Sequence, residues 1–489
     1  MSDFRVPTLT RRAFLASSAA VSAGAMLPLQ SHARAAGIRE FRLRAGPGRA
    51  QIAPDPYGDT AVWCYDGKLP GPEIRVRQGE RLRVAVENAL VEETTVHWHG
   101  VRVPNGMDGV PHLTQAPIAP GETFTYEFDA VDAGTFWYHP HQRSFEQVGR
   151  GLYGPLIVEE ADPVRVDRDV TWVLSDWRLT KTAEMREDFG NRHDMMHNGR
   201  VGNTVTINGR VPDAFPVRKG ERIRLRLINA ANARIFGLDF EDHEPVVIAF
   251  DGQPVEAHAP EDGLVVLGPA MRADVILDMT AAAGSRVSVI DRFYKGLEYR
   301  LVDLAYESGP LKDEAPDWPV VLPPNPLPEP GLSSAARHEV TFNGGMMGAM
   351  VMQEMGGSMG ENSPGAMGGM MGNMMNMMHS GGIWFINGVA AEGHVMDPML
   401  TLARDKSHVI AMTNATAWHH PIHLHGHSFR VISRNGKPTP RREWQDTVLM
   451  WPRERVEIAF VADNPGDWML HCHILEHQAA GMMGVFRVA

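Results

Sequence analysis

Cysteine is scarce in this chain, which has only Cys64 and Cys472 among its 489 residues. Two thiols are too few for a small domain held together by several disulfides, so this class of protein is excluded. Stability has to come from packed β-sheet cores. Cys64, in the segment Trp63-Cys64-Tyr65, is therefore expected to be a small buried hydrophobic residue. The length allows roughly three domains at about 150 residues each.

Long apolar runs are also missing, because no segment approaches the ~20 apolar residues that a membrane span needs. The N-terminal stretch is too rich in Ser and Gly, and carries Pro28, so it does not qualify as a short membrane helix. It does contain the twin arginine Arg11-Arg12 and the small-x-small sequence Ala33-Arg34-Ala35. These features predict a twin-arginine export signal over residues 1–35 and a periplasmic location.

Positive charge is the minority sign, and the whole chain carries a formal net charge of −12. Removal of residues 1–35 takes away four arginines and one aspartate, which lowers the net charge to −15. This acidity argues against nucleic acid and against an anionic membrane surface as partners, and it favours cationic substrates.

One C-terminal segment, His471-Cys472-His473-Ile474-Leu475-Glu476-His477, contains most of a redox centre. Cys472 and His477 supply a thiolate and an imidazole, and Met482 is placed to give the weak axial thioether of a blue-copper site. Such a site needs one more imidazole from elsewhere in the chain. The histidines that flank Cys472 then remain for a second, polynuclear copper centre, which the thiolate would connect to the first.

Four separate His-x-His pairs lie at 97/99, 139/141, 423/425 and 471/473. In an extended strand alternate side chains point the same way, so each motif delivers two imidazoles from one face to one place. Eight imidazoles suit three copper ions and are too many for a single zinc ion, which takes about four ligands.

Internal similarity indicates three domains of one kind. The segment Gly79–Asn88 is echoed by Gly220–Asn229 and more faintly by Ser407–Asn414, and each alternates apolar and polar residues as a half-buried strand does. Gly134–His141 likewise aligns with Gly466–His473, so the first and third domains present histidine pairs from equivalent strands. The middle domain has no such pair, which predicts a spacer between them.

Many short alternating strands separated by Gly and Pro turns predict an all-β fold of Greek-key β-sandwich domains. A stretch dense in proline predicts a stiff, extended linker before the last domain. The predicted segments are the signal 1–35, domain 1 at 36–164, domain 2 at 165–315, the linker 316–331 and domain 3 at 332–489.

A methionine-rich segment, residues 344–382, interrupts domain 3 and holds 13 of the 28 methionines of the chain. It is too rich in Gly and too poor in Leu, Ile and Val to be a core. Thioethers are soft ligands that select Cu(I), so copper recruitment is the favoured interpretation, with a disordered low-complexity loop as the alternative.

The four histidine segments resemble the four copper-binding motifs of the three-domain multicopper oxidases, the family of laccases and bacterial cuprous oxidases. The resemblance covers essentially the whole mature chain, and it implies cupredoxin domains and four copper ions. By motif position, type 1 copper would be held by His420, Cys472 and His477, with Met482 axial, and type 2 copper by His97 and His423. The two type 3 ions would take His99, His139 and His473, and His141, His425 and His471.

The resemblance also implies a reaction, in which one-electron oxidations at type 1 copper drive the four-electron reduction of dioxygen to water. Cys472 would then carry electrons between the two centres, and Asp108 matches the acidic residue of the family near the trinuclear site. The Glu that often follows the type 1 histidine is replaced by Gln478, which puts proton delivery at that point in doubt. Glu476 is the other acidic residue there, with a polar outer position or the surface as the alternative.

A methionine-rich insert at this place resembles that of the bacterial cuprous oxidases, where it recruits Cu(I). The recruiting residues here would be Met346, Met347, Met350, Met352, Met355 and Met359. The acidic and Met residues that precede the type 1 motif in those enzymes are replaced by Thr416-Ala417-Trp418-His419, so Met355, Glu354 or Glu361 would have to serve instead. A smaller cluster, His193 to His197, is better explained as a solvated loop.

Together these features predict an exported, monomeric multicopper oxidase that oxidises Cu(I), and phenolic or similar small aromatic donors, with dioxygen as the acceptor. A general laccase and a periplasmic copper-sequestering protein are the alternatives. A non-enzymatic cupredoxin scaffold is disfavoured because the full ligand set is present.

Overall fold

Three successive β-sandwiches, each made of two sheets, form the part of the chain that the structure describes. The structure is a computed structural model that describes residues 37–314, 316–355, 383–391 and 397–489. The predicted export signal, most of the methionine-rich segment, Met359, Glu361 and the side chain of Met352 lie outside the described residues. The prediction of an all-β chain is confirmed.

The first sandwich packs a sheet of order β2-β1-β4-β6 against one of order β3-β8-β7-β5. A 3-10 turn at Asn105–Met107 and a short helix, α1 (Ser144–Gln147), complete it. Its strands are β1 (Ile38–Ala50), β2 (Thr60–Tyr65), β3 (Ile74–Arg77), β4 (Arg81–Asn88), β5 (His97–His99), β6 (Thr123–Asp129), β7 (Gly134–His139) and β8 (Gly154–Glu159).

The second sandwich has sheets of order β10-β9-β12-β17-β14-β15 and β11-β19-β18-β13-β16. It includes a short helix, α2 (Arg192–Met196), and a 3-10 turn at Glu261–Gly263. Its strands are β9 (Arg168–Trp177), β10 (Thr204–Ile207), β11 (Ala214–Val217), β12 (Arg222–Asn229), β13 (Phe236–Phe240), β14 (Val246–Phe250), β15 (Gln253–His258), β16 (Val265–Leu267), β17 (Arg272–Asp278), β18 (Arg286–Asp291) and β19 (Tyr299–Tyr306).

The third sandwich has sheets of order β21-β20-β23-β29-β25-β26, with β27 paired to β25, and β22-β31-β30-β24-β28. It carries the helices α3 (Gly348–Glu354) and α4 (Leu475–Ala479). Its strands are β20 (Ala336–Gly344), β21 (Trp384–Ile386), β22 (Leu400–Leu402), β23 (Ser407–Asn414), β24 (His420–Leu424), β25 (Phe429–Arg434), β26 (Lys437–Pro438), β27 (Trp444–Gln445), β28 (Thr447–Met450), β29 (Arg455–Val461), β30 (Gly466–Cys472) and β31 (Met483–Val488).

The three echoed segments of the sequence become equivalent strands. β4, β12 and β23 each pair in parallel with the first strand of their sandwich, β1, β9 and β20. Each then pairs antiparallel on its other side, with β6, β17 and β29. The repeated topology explains why the same alternating pattern recurs in the sequence.

The prediction of half-buried strands is right for β4 and wrong for β12. β4 alternates between buried and partly exposed residues, whereas every residue of β12 is buried. Two of its arginines reach the first sandwich, where Arg226 donates to Thr135 Oγ1 at 2.9 Å and Arg224 binds Glu160 at 2.7 Å. The polar face is buried because another domain covers it, and carboxylates of both domains, Glu160, Asp169 and Asp274, pair with the guanidinium groups.

Each sandwich has its own hydrophobic core between its sheets. In β4 the inward residues Leu82, Val84 and Val86 are fully buried, and each such side chain contributes about 1.5–3 kcal/mol through the hydrophobic effect. Cys64 is 1% exposed and packs among apolar residues, as predicted, and it is not in a disulfide. No helix among the described residues has the length and apolarity needed to cross a bilayer.

The proline-rich stretch after β19 contains neither helix nor strand over residues 316–331. Asn325 holds it against the first two sandwiches, accepting from Ala133 N–H at 2.8 Å and donating to Gln253 Oε1 at 2.8 Å. The stretch is thus irregular, and its middle is fixed by hydrogen bonds.

Candidate metal centre

The three predicted equatorial ligands of type 1 copper lie together in the third sandwich. His420 begins β24, Cys472 ends β30 and His477 lies on α4. His420 Nδ1 is 3.4 Å from Cys472 Sγ and 3.2 Å from His477 Nδ1, and the sulfur is 3.7 Å from His477 Nδ1. A trigonal metal site with bonds of about 2.0–2.3 Å separates its ligand atoms by roughly 3.5 Å, so the arrangement fits one ion.

The backbone brings Met482 to the same place. Cys472 N–H donates to the Met482 carbonyl at 3.1 Å, and Met482 N–H donates to the His477 carbonyl at 3.0 Å. The Met482 side chain is fully buried in the same hydrophobic core as Cys472. The loop from Cys472 to Met482 therefore closes on itself through main-chain hydrogen bonds and assembles three of the four predicted ligands.

The outer nitrogens of the two type 1 histidines have fixed acceptors. His420 Nε2 lies 2.8 Å from Thr416 Oγ1, and His477 Nε2 lies 2.6 Å from the His197 carbonyl oxygen. These contacts place the proton on Nε2 and leave the Nδ1 lone pair for the metal. Trp384 covers both rings, with centroid distances of 5.1 Å to His420 and 4.2 Å to His477.

The eight remaining histidines come from two equivalent pairs of antiparallel strands. In the first sandwich His97 on β5 is the register partner of His139 on β7. In the third, His423 on β24 is the register partner of His471 on β30. Because alternate residues of a strand face one way, each strand pair presents its histidines toward the other sandwich.

The two sets meet in the interface between the first and third sandwiches. The His97 and His425 rings stack at 4.0 Å, and the His99 and His423 rings stack at 3.8 Å. Besides the type 1 group, three groups among the described residues have ligand atoms within 4.8 Å of one another: His97, His99 and His423; His97, His141 and His425; and His99, His139 and His473. His471 Nε2 lies 3.1 Å from His425 Nε2 and so joins the second group.

The donor set fits bound metal, because the inward nitrogens lack protein partners. His97 Nε2, His141 Nε2 and His423 Nε2 are buried with no hydrogen bond to any described residue. The opposite nitrogens are bonded, since His97 Nδ1 donates to the Asp108 carbonyl at 2.8 Å and His423 Nδ1 to the Asp446 carbonyl at 2.8 Å. An unpartnered buried nitrogen costs free energy unless a ligand such as a metal ion satisfies it.

Burial favours the neutral form of several predicted histidine ligands. Loss of solvent lowers the pKa of His477 to about 3 and holds the pKa of His99, His139 and His425 well below the usual value. Burial also raises the pKa of the Cys472 thiol well above its usual range, which a bound cation reverses by taking the thiolate. The neutral imidazole is the form that binds metal.

Asp108, the predicted acidic residue, lies against the histidine cluster. It is fully buried, and its Oδ2 accepts from His425 Nδ1 at 2.9 Å while its carbonyl accepts from His97. Asp108 therefore orients one histidine from the first sandwich, His97, and one from the third, His425. It touches ligands of two different predicted ions.

A second carboxylate, Asp446 at the end of β27, escaped the sequence analysis. Its Oδ1 lies 3.2 Å from His99 Nε2, and its two oxygens accept from the Arg272 guanidinium at 2.8 and 2.6 Å. Burial alone would raise its pKa, but Arg272 and His423 hold the pKa of Asp446 well below the usual range. The sequence carried little signal for it, because Asp446 lies between two other polar residues, Gln445 and Thr447.

Glu476 and Gln478 have different surroundings. Glu476 is buried and accepts from Arg200 N–H at 3.1 Å and Asn232 Nδ2 at 3.0 Å, so it binds the second sandwich and is not brought to the histidine cluster. Burial raises its pKa. Gln478 does reach the cluster, because its amide lies 3.3 Å from His141 Nδ1 and 3.4 Å from Ser144 Oγ.

The residues around the type 1 site are helical where a loop was predicted. Residues 192–196 form α2, and Met195 packs against the core of the third sandwich while its carbonyl accepts from Trp384 Nε1 at 2.7 Å. Met346 N–H donates to the Met196 carbonyl at 3.0 Å, which joins the start of the methionine-rich segment to α2. Glu354, a proposed copper ligand, is instead bound to Arg453 at 2.8 Å.

Comparison with known families gives one consistent result. Three family models described as multicopper oxidase match residues 48–163, 168–292 and 367–489. These ranges include all the predicted ligands of the type 1, type 2 and type 3 ions.

Individual relatives agree with the family models. A multicopper oxidase of Mycobacterium tuberculosis is 32% identical over 86% of this chain and 82% of its own length. The crystal structure of a multicopper oxidase from Pseudomonas thermotolerans superposes with a TM-score of 0.79 at 32% identity, covering 93% of this chain and 100% of that one. A metallo-oxidase from Campylobacter jejuni has a TM-score of 0.73 at 27% identity, covering 92% and 91%.

Proposed function

Because this chain belongs to the multicopper oxidase family, we propose that its physiological electron donor is Cu(I) and that it serves copper tolerance. The family assignment makes the chain an oxidoreductase with cupredoxin-like domains that couples a reductant to dioxygen. Four copper ions, one type 1, one type 2 and two type 3, supply electron transfer and dioxygen reduction when bound.

The observation that carries the proposal is a set of exposed methionines beside the type 1 site. Met346, Met347, Met350 and Met355 are 40%, 49%, 40% and 38% exposed. Methionine side chains are normally stabilised by burial, and these exposed ones lack that stabilisation. Their thioethers are soft ligands that select Cu(I). The Met346 carbonyl accepts from Trp418 Nε1 at 3.4 Å, which places this surface two residues from His420.

The protein residues have separate tasks in this reaction. His420 and His477 hold their Nδ1 atoms toward Cys472, and the histidines flanking Cys472 face the interface cluster. Cys472 is therefore joined to the cluster through the adjacent residues, His471 on one side and His473 on the other. Asp108 holds a buried carboxylate against His425, where it can accept and return protons during water formation.

The twin-arginine segment and the periplasmic location complete the proposal. Copper toxicity is lowered by conversion of Cu(I) to Cu(II), which is the less thiophilic and less membrane-permeant ion. The net charge of −15 for a chain without residues 1–35 supports a cationic substrate. We expect the mature protein to be a monomer, as scattering or analytical ultracentrifugation of the exported form will test.

The proposal is tested by replacing the four exposed methionines with leucine, which keeps volume and removes the sulfur. We expect kcat/KM for Cu(I), followed as dioxygen uptake, to fall by about tenfold or more, equivalent to about 1.4 kcal/mol of lost binding. Met185→Leu, at a buried site in the second sandwich, is the control and keeps the wild-type value. An unchanged rate with Cu(I) in the fourfold variant contradicts the proposal.

A laccase acting on aromatic donors is the second candidate, and a surface pocket favours it. The pocket has a volume of about 320 Å³ and includes Asn198, Tyr294, Leu297 and Tyr299 in its lining. Pockets for small organic ligands begin at about 300 Å³ and are rich in apolar and aromatic residues. Asn198 directly follows His197, whose carbonyl accepts from His477, so the pocket lies next to the type 1 site.

Steady-state kinetics separate the candidates. If Leu297→Asp abolishes phenol oxidation and leaves Cu(I) oxidation intact, the pocket serves aromatic donors as a secondary activity. If the wild-type protein oxidises phenols and never Cu(I), it is a laccase. A copper-sequestering protein would instead bind copper well beyond the four ions of the family and consume little dioxygen.

A further inference from the structure

Helix α2 lies directly over the type 1 site, although it belongs to the second sandwich. The His197 carbonyl, at the C-terminal end of α2, accepts the proton of His477 Nε2 at 2.6 Å. The Met195 carbonyl accepts from Trp384, the ring that covers His477. Two main-chain carbonyls of one short helix therefore fix the outer edge of the type 1 site.

The same helix presents two imidazoles at its surface. His193 and His197 are four residues apart, a spacing that places side chains on one face, and their rings stack with a centroid distance of 4.2 Å. His193 is exposed and His197 is partly exposed. His197 Nδ1 donates to the His193 carbonyl at 2.8 Å, which leaves the lone pair of His197 Nε2 directed away from the helix.

Further soft and aromatic groups surround this pair. Met346, 40% exposed, is joined to α2 through its amide and the Met196 carbonyl. Trp418 lies 5.6 Å from the His197 ring, between α2 and the strand that carries His420. Two imidazoles with a neighbouring thioether form a donor set suited to Cu(I).

Among the described residues, the outer edge of the other type 1 histidine is bound to a buried hydroxyl. His420 Nε2 is bound to Thr416 Oγ1, whose side chain is fully buried and also donates to Asn414 Oδ1 at 2.7 Å. A hydroxyl already committed to two partners does not hold a copper ion. The edge of His477, by contrast, is bound directly to the segment that carries the exposed imidazole of His193 and the partly exposed imidazole of His197.

We propose that His193 and His197 form a docking site for the Cu(I) substrate, from which the electron enters through the His197 carbonyl and His477. This inference rests on the proposed function. Each docked Cu(I) gives one electron to the type 1 site and leaves as Cu(II). Four such events, with four protons, reduce one dioxygen to two waters, so charge and atoms balance.

The site is tested first by binding, without turnover. Copper-loaded wild-type protein, the double variant His193→Gln/His197→Gln and the control His338→Gln are reduced anaerobically and titrated with Cu(I) against a chromophoric Cu(I) chelator. His338 contacts His408 at 3.1 Å in the third sandwich and so controls for loss of a paired histidine. We expect the double variant to bind one equivalent of Cu(I) at least about tenfold more weakly than the other two proteins.

Kinetics and the type 1 spectrum provide the second arm. The His197 carbonyl that contacts His477 belongs to the main chain, so the side-chain substitutions leave this contact in place. The copper–thiolate absorption per chain is the control for folding and metal loading. We expect the KM for Cu(I) to rise by about tenfold or more in the double variant, a larger factor than for a phenol.

The outcomes separate this inference from the proposed function. If wild-type protein oxidises Cu(I), and the double variant binds and oxidises it equally well, the docking site is wrong and the function stands. If wild-type protein binds Cu(I) through these histidines and does not oxidise it, the proposed function fails and the binding site stands. Loss of Cu(I) binding in His338→Gln as well would show a general effect and overturn the assignment.

Discussion

At the residue scale, the chemistry is set by which nitrogen of each histidine is free. His97 and His423 donate from Nδ1 to main-chain carbonyls, so their Nε2 atoms face the cluster without partners among the described residues. His425 donates to Asp108, and its Nε2 faces His471 Nε2, another predicted ligand atom. Fixed acceptors determine the tautomer and the ring orientation before metal binds. Rigid placement of this kind favours rapid electron transfer because the ligands need not reorganise.

Cys472→Ser tests the connection between the two centres. Loss of the thiolate should abolish the copper–thiolate absorption and reduce turnover with every donor to background, because the type 1 ion loses its ligand and its path to His471 and His473. Absorption spectroscopy and dioxygen uptake measure the two effects. Oxidase activity retained in this variant contradicts the assigned electron path.

Asp108→Asn tests the buried carboxylate beside His425. The amide can still accept one hydrogen bond, so copper content should remain, but it can no longer exchange a proton, and kcat should fall about 10²-fold or more. Metal analysis and kcat are measured together, with Asp129→Asn, at the exposed partner of Arg81, as the control. Normal kcat with full copper content would show that protons travel by another route.

At the element scale, two pairs of strands build the site, and one strand of the second sandwich, β17, supports them. β5 and β7 present one set of histidines, β24 and β30 present the other, and Arg272 at the start of β17 binds Asp446 behind them. Asp251 extends this link, since its carboxylate accepts from the Asp446 and Thr447 amides at 3.1 and 3.0 Å. Through Arg272 and Asp251, strand β17 of the second sandwich is thereby connected to the start of β28 in the third.

Arg272→Gln tests this link. The substitution leaves Asp446 buried beside His99 and His423 without its cation, so the free energy of unfolding should fall by about 3–5 kcal/mol. Displacement of His423, a predicted type 2 ligand, should also lower the type 2 signal in the electron paramagnetic resonance spectrum.

Urea unfolding and copper analysis check the prediction, with Arg487→Gln as the control. Arg487 is bound to Asp467 at 2.7 Å on the surface, and its loss should leave stability and copper content at wild-type values. Equal behaviour of the two variants would contradict a special role for Arg272.

The elements that carry ligands were predictable from sequence, whereas those that support them were not. His-x-His within an alternating strand predicts both the local structure and the shared face, and His97, His139, His423 and His471 indeed lie on paired strands. The contacts of Arg272 and the position of α2 depend on how domains pack. Spacing along the chain carries no information about a partner that lies 174 residues away.

At the scale of the whole molecule, the second sandwich is more than the predicted spacer. It contributes no residue to the metal-ligand groups found among the described residues, yet it supplies Arg272 behind the histidine cluster, His197 over the type 1 site and Arg200 to Glu476. The centre between the first and third sandwiches is thus enclosed by contacts from all three. Copper binding and domain association should therefore stabilise each other.

The pH dependence of stability should differ between copper-free and copper-loaded protein. Buried histidines such as His477, with a pKa of about 3, bind fewer protons when folded than when unfolded between about pH 3 and the unfolded pKa of about 6.5. Stability is therefore highest above pH ~6.5 and falls as the pH decreases, by up to about 1.4 kcal/mol per unit for each such group.

Differential scanning calorimetry between pH 6.5 and 5, above the range where most carboxylates titrate, measures this effect. Copper competes with protons for the same nitrogens, so the copper-loaded protein should lose less in Tm over this interval. An equal decrease in both forms would contradict the assignment of these histidines as ligands.

The most direct test of the account is the stoichiometry of Cu(I) oxidation by the copper-loaded protein in a sealed cell. Dioxygen consumption, Cu(II) formation and hydrogen peroxide are followed together, with Cys472→Ser as the background. The account predicts four Cu(I) oxidised for each dioxygen consumed, with no peroxide and no reaction above background in the variant. Two Cu(I) per dioxygen with accumulating peroxide, or no consumption with Cu(I) at all, would contradict it.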